Sequence, residues 1–195
     1  SVKQRPLPAL EAWLSQWGIV VEPGAVVETS ASRVMSSNAY YGLADMVDPA
    51  LTRQMTSGDA PLILPLTRPL RLAFESSLGY RTAVLLQYSA TAGIADENAA
   101  SLADIAVSGP ITVGARSFNG ESSVIVYGSE QLIESSLLQS TSVANESYIL
   151  SVLNTLCKRE ETVAIPSKAF SAGTFLISQR EQLLYAALFG ILLPL

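Results

Sequence analysis

Histidine is missing from this 195-residue chain and cysteine occurs once, at Cys157, so the side chains that most often carry nucleophilic catalysis or bind transition metals are almost gone. Ser-His-Asp and Cys-His arrangements are excluded, and so are zinc sites built from His or several Cys. What remains is carboxylate chemistry. Asp96 and Glu97 are adjacent, and Asp45 and Asp48 stand three positions apart. Neither set has the alternating spacing of a calcium loop, and both read as helix caps or solvated faces. The expectation is no catalytic residue, no metal and no cofactor: a protein that is not an enzyme.

Four further motifs raise the question of binding. The run Tyr127-Gly128-Ser129-Glu130 follows an apolar stretch and opens a helical one, the setting of an anion cradle. It lacks the glycine spacing of the dinucleotide and P-loop patterns, and Glu130 in the first turn would repel a phosphate. Gly128 is read as permitting the turn and Ser129 as a cap. Tyr40 and Tyr41, in a polar region, form a possible interaction surface or pack their loop onto the sheet. Asn145-Glu146-Ser147 fits the N-glycosylation pattern, but Asn145 is read as sitting near the start of a helix. Cys157 lies in a helical pattern with Val152, Leu153 and Leu156, as a small buried hydrophobe.

The elements that must position these residues alternate along the chain. Leu7, Leu10, Trp13, Leu14 and Trp17 recur at helical spacing before Gly18, which predicts a short amphipathic helix. The segments 19–21 and 25–27 flank Pro23-Gly24 and predict strand, turn, strand. Residues 29–58 are rich in Ser, Asn and Asp and read as a surface excursion, with one helical pattern at 49–55. Pro61, Pro65 and Pro69 confine 62–64 and 70–72 to sheet edges or irregular connections. A strand is predicted at 82–88, a short helix after Asp96-Glu97-Asn98, and a hairpin from 111–116 and 123–127 around Asn119-Gly120. Val124, Ile125 and Val126 are apolar on both faces, as in a strand covered on two sides. A helix is predicted over 143–159 from Tyr148, Ile149, Val152, Leu153 and Leu156. Short strands at 162–165 and 175–177 lead to Ser178 and Glu181, a capping-box spacing before the uncharged run LLYAALFGILLPL at 183–195.

Hydrophobic residues make up 49% of the chain and charged residues 15%, with mean hydropathy +0.33, a balance that folds and buries a core. Net charge is −5, and the 12 basic residues are scattered with no basic stripe, so nucleic acid is not an expected partner. The apolar tail is shorter than a membrane span needs, and reads as a buried helix or the start of a transmembrane one.

Several segments, in order, resemble the ABC-type uncharacterised transport-system family, the auxiliary proteins that include the gliding-motility accessory component. They are 10–27 (LEAWLSQWGIVVEPGAVV), 80–89 (YRTAVLLQYS), 109–117 (GPITVGARS), 123–130 (SVIVYGSE) and 145–168 (NESYILSVLNTLCKREETVAIPSK), followed by the apolar tail. Glu28 stands where the family has Asp, and Thr155-Leu156 replaces its Trp-Leu pair. The resemblance implies an α/β fold: a Rossmann-like layered sheet, mostly parallel with a hairpin, and helices on both faces. It implies an extracytoplasmic domain at 1–177, preceded in the family by an N-terminal half, and a membrane-anchoring helix beginning at 178–195. The implied role is an accessory subunit recognising ligands or partner proteins, with separate ABC permease and ATPase chains as partners and a possible homo-oligomer. Two alternatives stay open: a soluble solute-binding module, and a carboxylate-dependent glycan hydrolase, which needs two acids in one cleft.

Overall fold

The computed structural model describes residues 6–49, 51, 60–96, 101 and 105–157. The chain divides into two units, Ser1–Val163 and Ala164–Leu195, and all described residues belong to the first. The strands expected at 162–165 and 175–177, the tail at 178–195, and the short helix after Asp96 lie outside the described residues.

Helix α1 (Pro8–Gln16) begins with proline in its first turn, where the missing N–H costs nothing, and ends at Gly18, whose φ of 78° suits glycine. Its apolar stripe is turned outward more than the spacing predicts: Leu14 is its one buried residue. Strands β1 (Ile19–Val21) and β2 (Ala25–Glu28) form where expected but do not pair with each other. β1 pairs with β5 (Leu70–Leu72), and β2 pairs with β8 (Ala92–Ala95). The turn through Pro23 and Gly24 therefore carries the chain from one two-stranded ribbon to another.

A six-stranded sheet holds the rest, in the order β10-β9-β7-β3-β4 with β6 beside β7. Its members are β3 (Tyr41–Met46), β4 (Leu62–Pro65), β6 (Ser76–Ser77), β7 (Tyr80–Tyr88), β9 (Ile111–Asn119) and β10 (Ser122–Tyr127). β3 lies inside the region expected to be a surface excursion. It escapes sequence reading because its core-facing residues are small: a side chain at Gly42 would meet the Tyr88 ring at 2.2 Å. Tyr88 is fully buried and its hydroxyl donates to the Leu64 carbonyl.

Every strand pairing among the described residues is antiparallel. The expected Rossmann-like, mostly parallel layering is overturned, and the physical reason lies in the connections. Parallel neighbours need a crossover of about a dozen residues or more, usually a helix. Here β9 and β10 are joined by a turn whose first central residue, Gly120, has φ 59°, and their register runs Ser122↔Asn119 to Tyr127↔Gly114. Among the described residues the helices are few: α2 (Ser135–Leu138) is a single turn, and α3 (Asn145–Leu156) follows it. The two apolar faces of β10 are real, but their covers differ from those expected. Val126 packs with Ile19 and Leu70 of the β1–β5 ribbon, and Ile125 and Tyr127 pack on the main core beside α3.

α3 is rolled relative to its predicted stripe. Asn145, Tyr148, Ser151 and Val152 are buried, while Leu150, Leu153 and Leu156 are exposed and so is Cys157. The buried set contains three polar residues, each with a defined partner. Tyr127 and Tyr148 join hydroxyl to hydroxyl at 3.1 Å, and Ser151 donates to the Leu51 carbonyl at 2.9 Å. Burial pushes the Tyr127 phenol up to about 12 and Tyr148 further up, so both stay neutral.

Candidate functional site

Two surfaces of the described residues have the character of binding sites. The first is an open groove of about 720 Å³. Leu70 and Leu72 of β5, Val84 of β7, Ile94 of β8, and Pro110 and Ile111 at the start of β9 wall it. At its rim Arg71 Nε lies 2.6 Å from Glu22 Oε1, and the guanidinium is more than half exposed. The β1–β2 turn is held there by the Glu22 N–H donating to the Pro69 carbonyl, and by Arg68 donating to the Glu22 carbonyl. A groove with apolar walls and one charged pair at the lip has the chemistry to suit an amphipathic group. It offers no nucleophile with an adjacent base, and Glu22 is the one carboxylate among its described lining residues.

The second surface is aromatic. Trp13 and Trp17 stack at a tilt with ring centroids 5.8 Å apart, and Trp17 meets Tyr80 edge-on at 5.2 Å. Tyr80 opens β7 directly after the turn Leu78-Gly79, where both residues have positive φ, 48° and 83°. Leu78 is 94% exposed. A branched aliphatic residue in the left-handed region, at a hairpin tip and in water, serves neither local conformation nor burial. Leu7, Leu10 and Trp13 extend this apolar surface along α1, each between 44% and 50% exposed.

The residues singled out from sequence are dispersed. Tyr40 packs against the Val27, Ala39 and Ala95 cluster, and Tyr41 opens β3 opposite Pro65; both are half-buried. Gly128 approaches the Arg68 carbonyl so closely that a side chain would clash at 2.0 Å. Ser129 accepts from the Gln131 N–H at 3.1 Å, capping a 3₁₀ turn at Glu130–Ile133, and its hydroxyl donates to the Pro65 carbonyl. Asp45 forms an ion pair with Arg33 at 2.7 Å. Asn145 is wholly buried, which rules out its glycosylation in the folded chain. Its amide nitrogen donates to the Ile63 and Leu132 carbonyls, and its oxygen accepts from the Ile63 N–H.

Sequence reading passed over Glu28 as a polar centre. It is fully buried, accepting from Ser89 Oγ at 2.6 Å, from Thr91 Oγ1 and from the Ser30 N–H at 3.0 Å. Burial opposes its charge, but these hydrogen bonds, with Arg33 nearby, outweigh burial and hold the carboxyl below its ordinary value. With its acceptors occupied it is a structural knot between the ends of β2 and β8. The nearby hydroxyl-rich stretch Ser89-Ala90-Thr91 was the available signal.

Neither a family model nor a curated protein matches this chain. A solved structure titled mmIFT52 N-terminal domain is similar to it, with a TM-score of 0.53 and 13% identity. The likeness is one of fold. It covers 79% of this chain and 60% of that one, so the chain spans little more than half of its neighbour's length.

Proposed function

We propose that this chain is a non-enzymatic recognition domain, the extracytoplasmic part of an accessory subunit that binds partner proteins for a bacterial ABC transporter. The observation that carries the recognition role is the exposed Leu78 tip, strained and unburied, continuing through Tyr80 and Trp17 to Trp13. Large exposed apolar surfaces that include aromatic residues mark sites of association. The class of assembly rests on the ordered segments that resemble the ABC-type auxiliary family. Attachment to the membrane belongs to 178–195, outside the described residues; among the described residues no helix is long and apolar enough to cross a bilayer.

The test is a pull-down from native membranes with the intact protein, beside a Trp13→Ala, Leu78→Ser double variant. Recovery of an ABC permease or ATPase by the parent and its loss in the variant are expected. Recovery of neither chain by the parent sinks the transporter reading. The groove favours a second reading, a solute-binding module. A saturable change in a fluorophore placed at Ile94 during a metabolite screen would support it, since Trp13 and Trp17 do not line the groove.

A further inference from the structure

Among the described residues the six-stranded sheet ends at β10, and the outer edge of that strand carries chemistry the aromatic surface does not use. In the β9–β10 register Ser122, Val124 and Val126 exchange hydrogen bonds with β9, a pattern that Gly128 continues by donating to the Val113 carbonyl at 2.9 Å. The peptide groups of Ser123, Ile125 and Tyr127 therefore point away from β9. None of them has a hydrogen-bond partner among the described residues.

Among the described residues the usual protections of an edge are missing as well. Ser122–Tyr127 contains no proline, no charge and no bulge. Its side chains from Ser123 onward are half-buried on both faces, so an added strand would extend two apolar layers together.

Charge selects the occupant. From Ser117 to Cys157 the chain has four carboxylates, Glu121, Glu130, Glu134 and Glu146, and no Lys or Arg. All four are exposed, with Glu121 and Glu130 on either side of β10. Arg116, the nearest cation on β9, is engaged by Ser123 Oγ at 2.9 Å and by the Phe118 ring at 5.4 Å. A second copy of this chain would bring the same acidic surface against itself. A strand with basic ends would meet complementary charge at both.

We infer that β10 is a strand-addition site for an extended partner segment, apolar on both faces, free of proline and flanked by Lys or Arg. Main-chain hydrogen bonds to Ser123, Ile125 and Tyr127 hold the segment, and Glu121 and Glu130 select its ends. The two surfaces adjoin at Asn119, which pairs with both Ser122 and Tyr80, and their variants keep them apart: Trp13→Ala with Leu78→Ser leaves the outward amides of β10 intact, and Ile125→Pro leaves the aromatic rings intact.

The experiment titrates the chain with the synthetic peptide Lys-Val-Thr-Ile-Thr-Val-Lys, following backbone amide exchange by NMR. Slowed exchange at Ser123, Ile125 and Tyr127 is expected, with the basic peptide binding about fivefold more tightly than a Glu-ended version. Glu121→Lys with Glu130→Lys should reverse that preference while leaving the edge intact. Ile125→Pro should abolish binding, because the N–H it removes points outward. Equal binding of both peptides, protection elsewhere, or a free chain already dimeric through these amides would each overturn the inference.

Discussion

β4 and β10 terminate the same sheet, and both are short aliphatic runs, yet their outer edges are finished differently. On β4 the Pro61 carbonyl takes the Ala144 N–H at 2.9 Å, Ile63 is held at both peptide groups by Asn145, and the Pro65 carbonyl takes Ser129 Oγ. Pro61 and Pro65 have no N–H to satisfy. On β10 the corresponding groups of Ser123, Ile125 and Tyr127 meet nothing among the described residues. One edge is closed by the Asn145 and Ser129 side chains and the Ala144 N–H, which imitate a neighbouring strand, and the other is left as a template among the described residues. An edge becomes a binding site through what fails to cover it, since the backbone groups on offer are the same.

The largest expected effect comes from proline at the closed edge. Ile63→Pro removes the N–H that Asn145 accepts and empties a buried aliphatic site, at a cost of about 4 kcal/mol or more. The same change at Ile125 should cost about 1–2 kcal/mol, because no hydrogen bond to β9 is lost. Denaturant midpoints for the pair measure the difference directly, and equal losses would break the comparison.

Next in size is Asn145→Ala, which leaves the Ile63 N–H and two carbonyls without partners inside the protein. About 3 kcal/mol is expected by chemical denaturation. A loss within the range of an ordinary surface substitution would mean that water closes the β4 edge equally well. A gentler probe leaves the sequence untouched: the Ile63 amide should exchange only on global unfolding, and the Ile125 amide through local contact with solvent. Similar protection at both would show that the β10 edge is covered.

The smallest effect concerns a polar group closed by the same strategy elsewhere. Glu28 has a lowered pKa in the folded chain, so it binds a proton less readily there than in the unfolded chain. Its contribution to stability is complete above the unfolded pKa and is lost as pH falls through the folded one. Glu28→Gln should cost about 1 kcal/mol at neutral pH, a gap that narrows on acidification below the ordinary carboxylate range. Thermal melts of both proteins across that range check the sign; a gap that widens with acid would contradict it.

Much of the local structure was legible. Prolines at 61 and 65 marked β4 as an edge, and Asn119-Gly120 marked the β9–β10 hairpin, because both depend on what one residue permits its own backbone. β3 was not legible, since a strand whose inward residues are Gly42 and Ala44 carries no apolar alternation. Its pattern makes sense only with Tyr88 in place across the sheet. The roll of α3 was hidden for a related reason. Apolar residues occur around most of the helix, and the side facing inward was chosen by the polar anchors Asn145, Tyr148 and Ser151. Of the aromatic surface, Trp13 and Trp17 were visible as a helical stripe, and the exposure of Leu78 had no sequence signature.

By itself the sequence determined where most strands run, where the hairpin turns, and that this sequence holds no Ser-His-Asp or Cys-His arrangement. These are properties of single residues and near neighbours, set by backbone sterics, side-chain chemistry and charge. Only the tertiary structure decided which strands meet: β1 with β5 rather than β2, β2 with β8, and β10 with no outer neighbour among the described residues. Pairing joins residues far apart in the chain. The hydrogen-bonding groups of every strand are chemically alike, so packing of whole layers selects the partner where local propensity cannot.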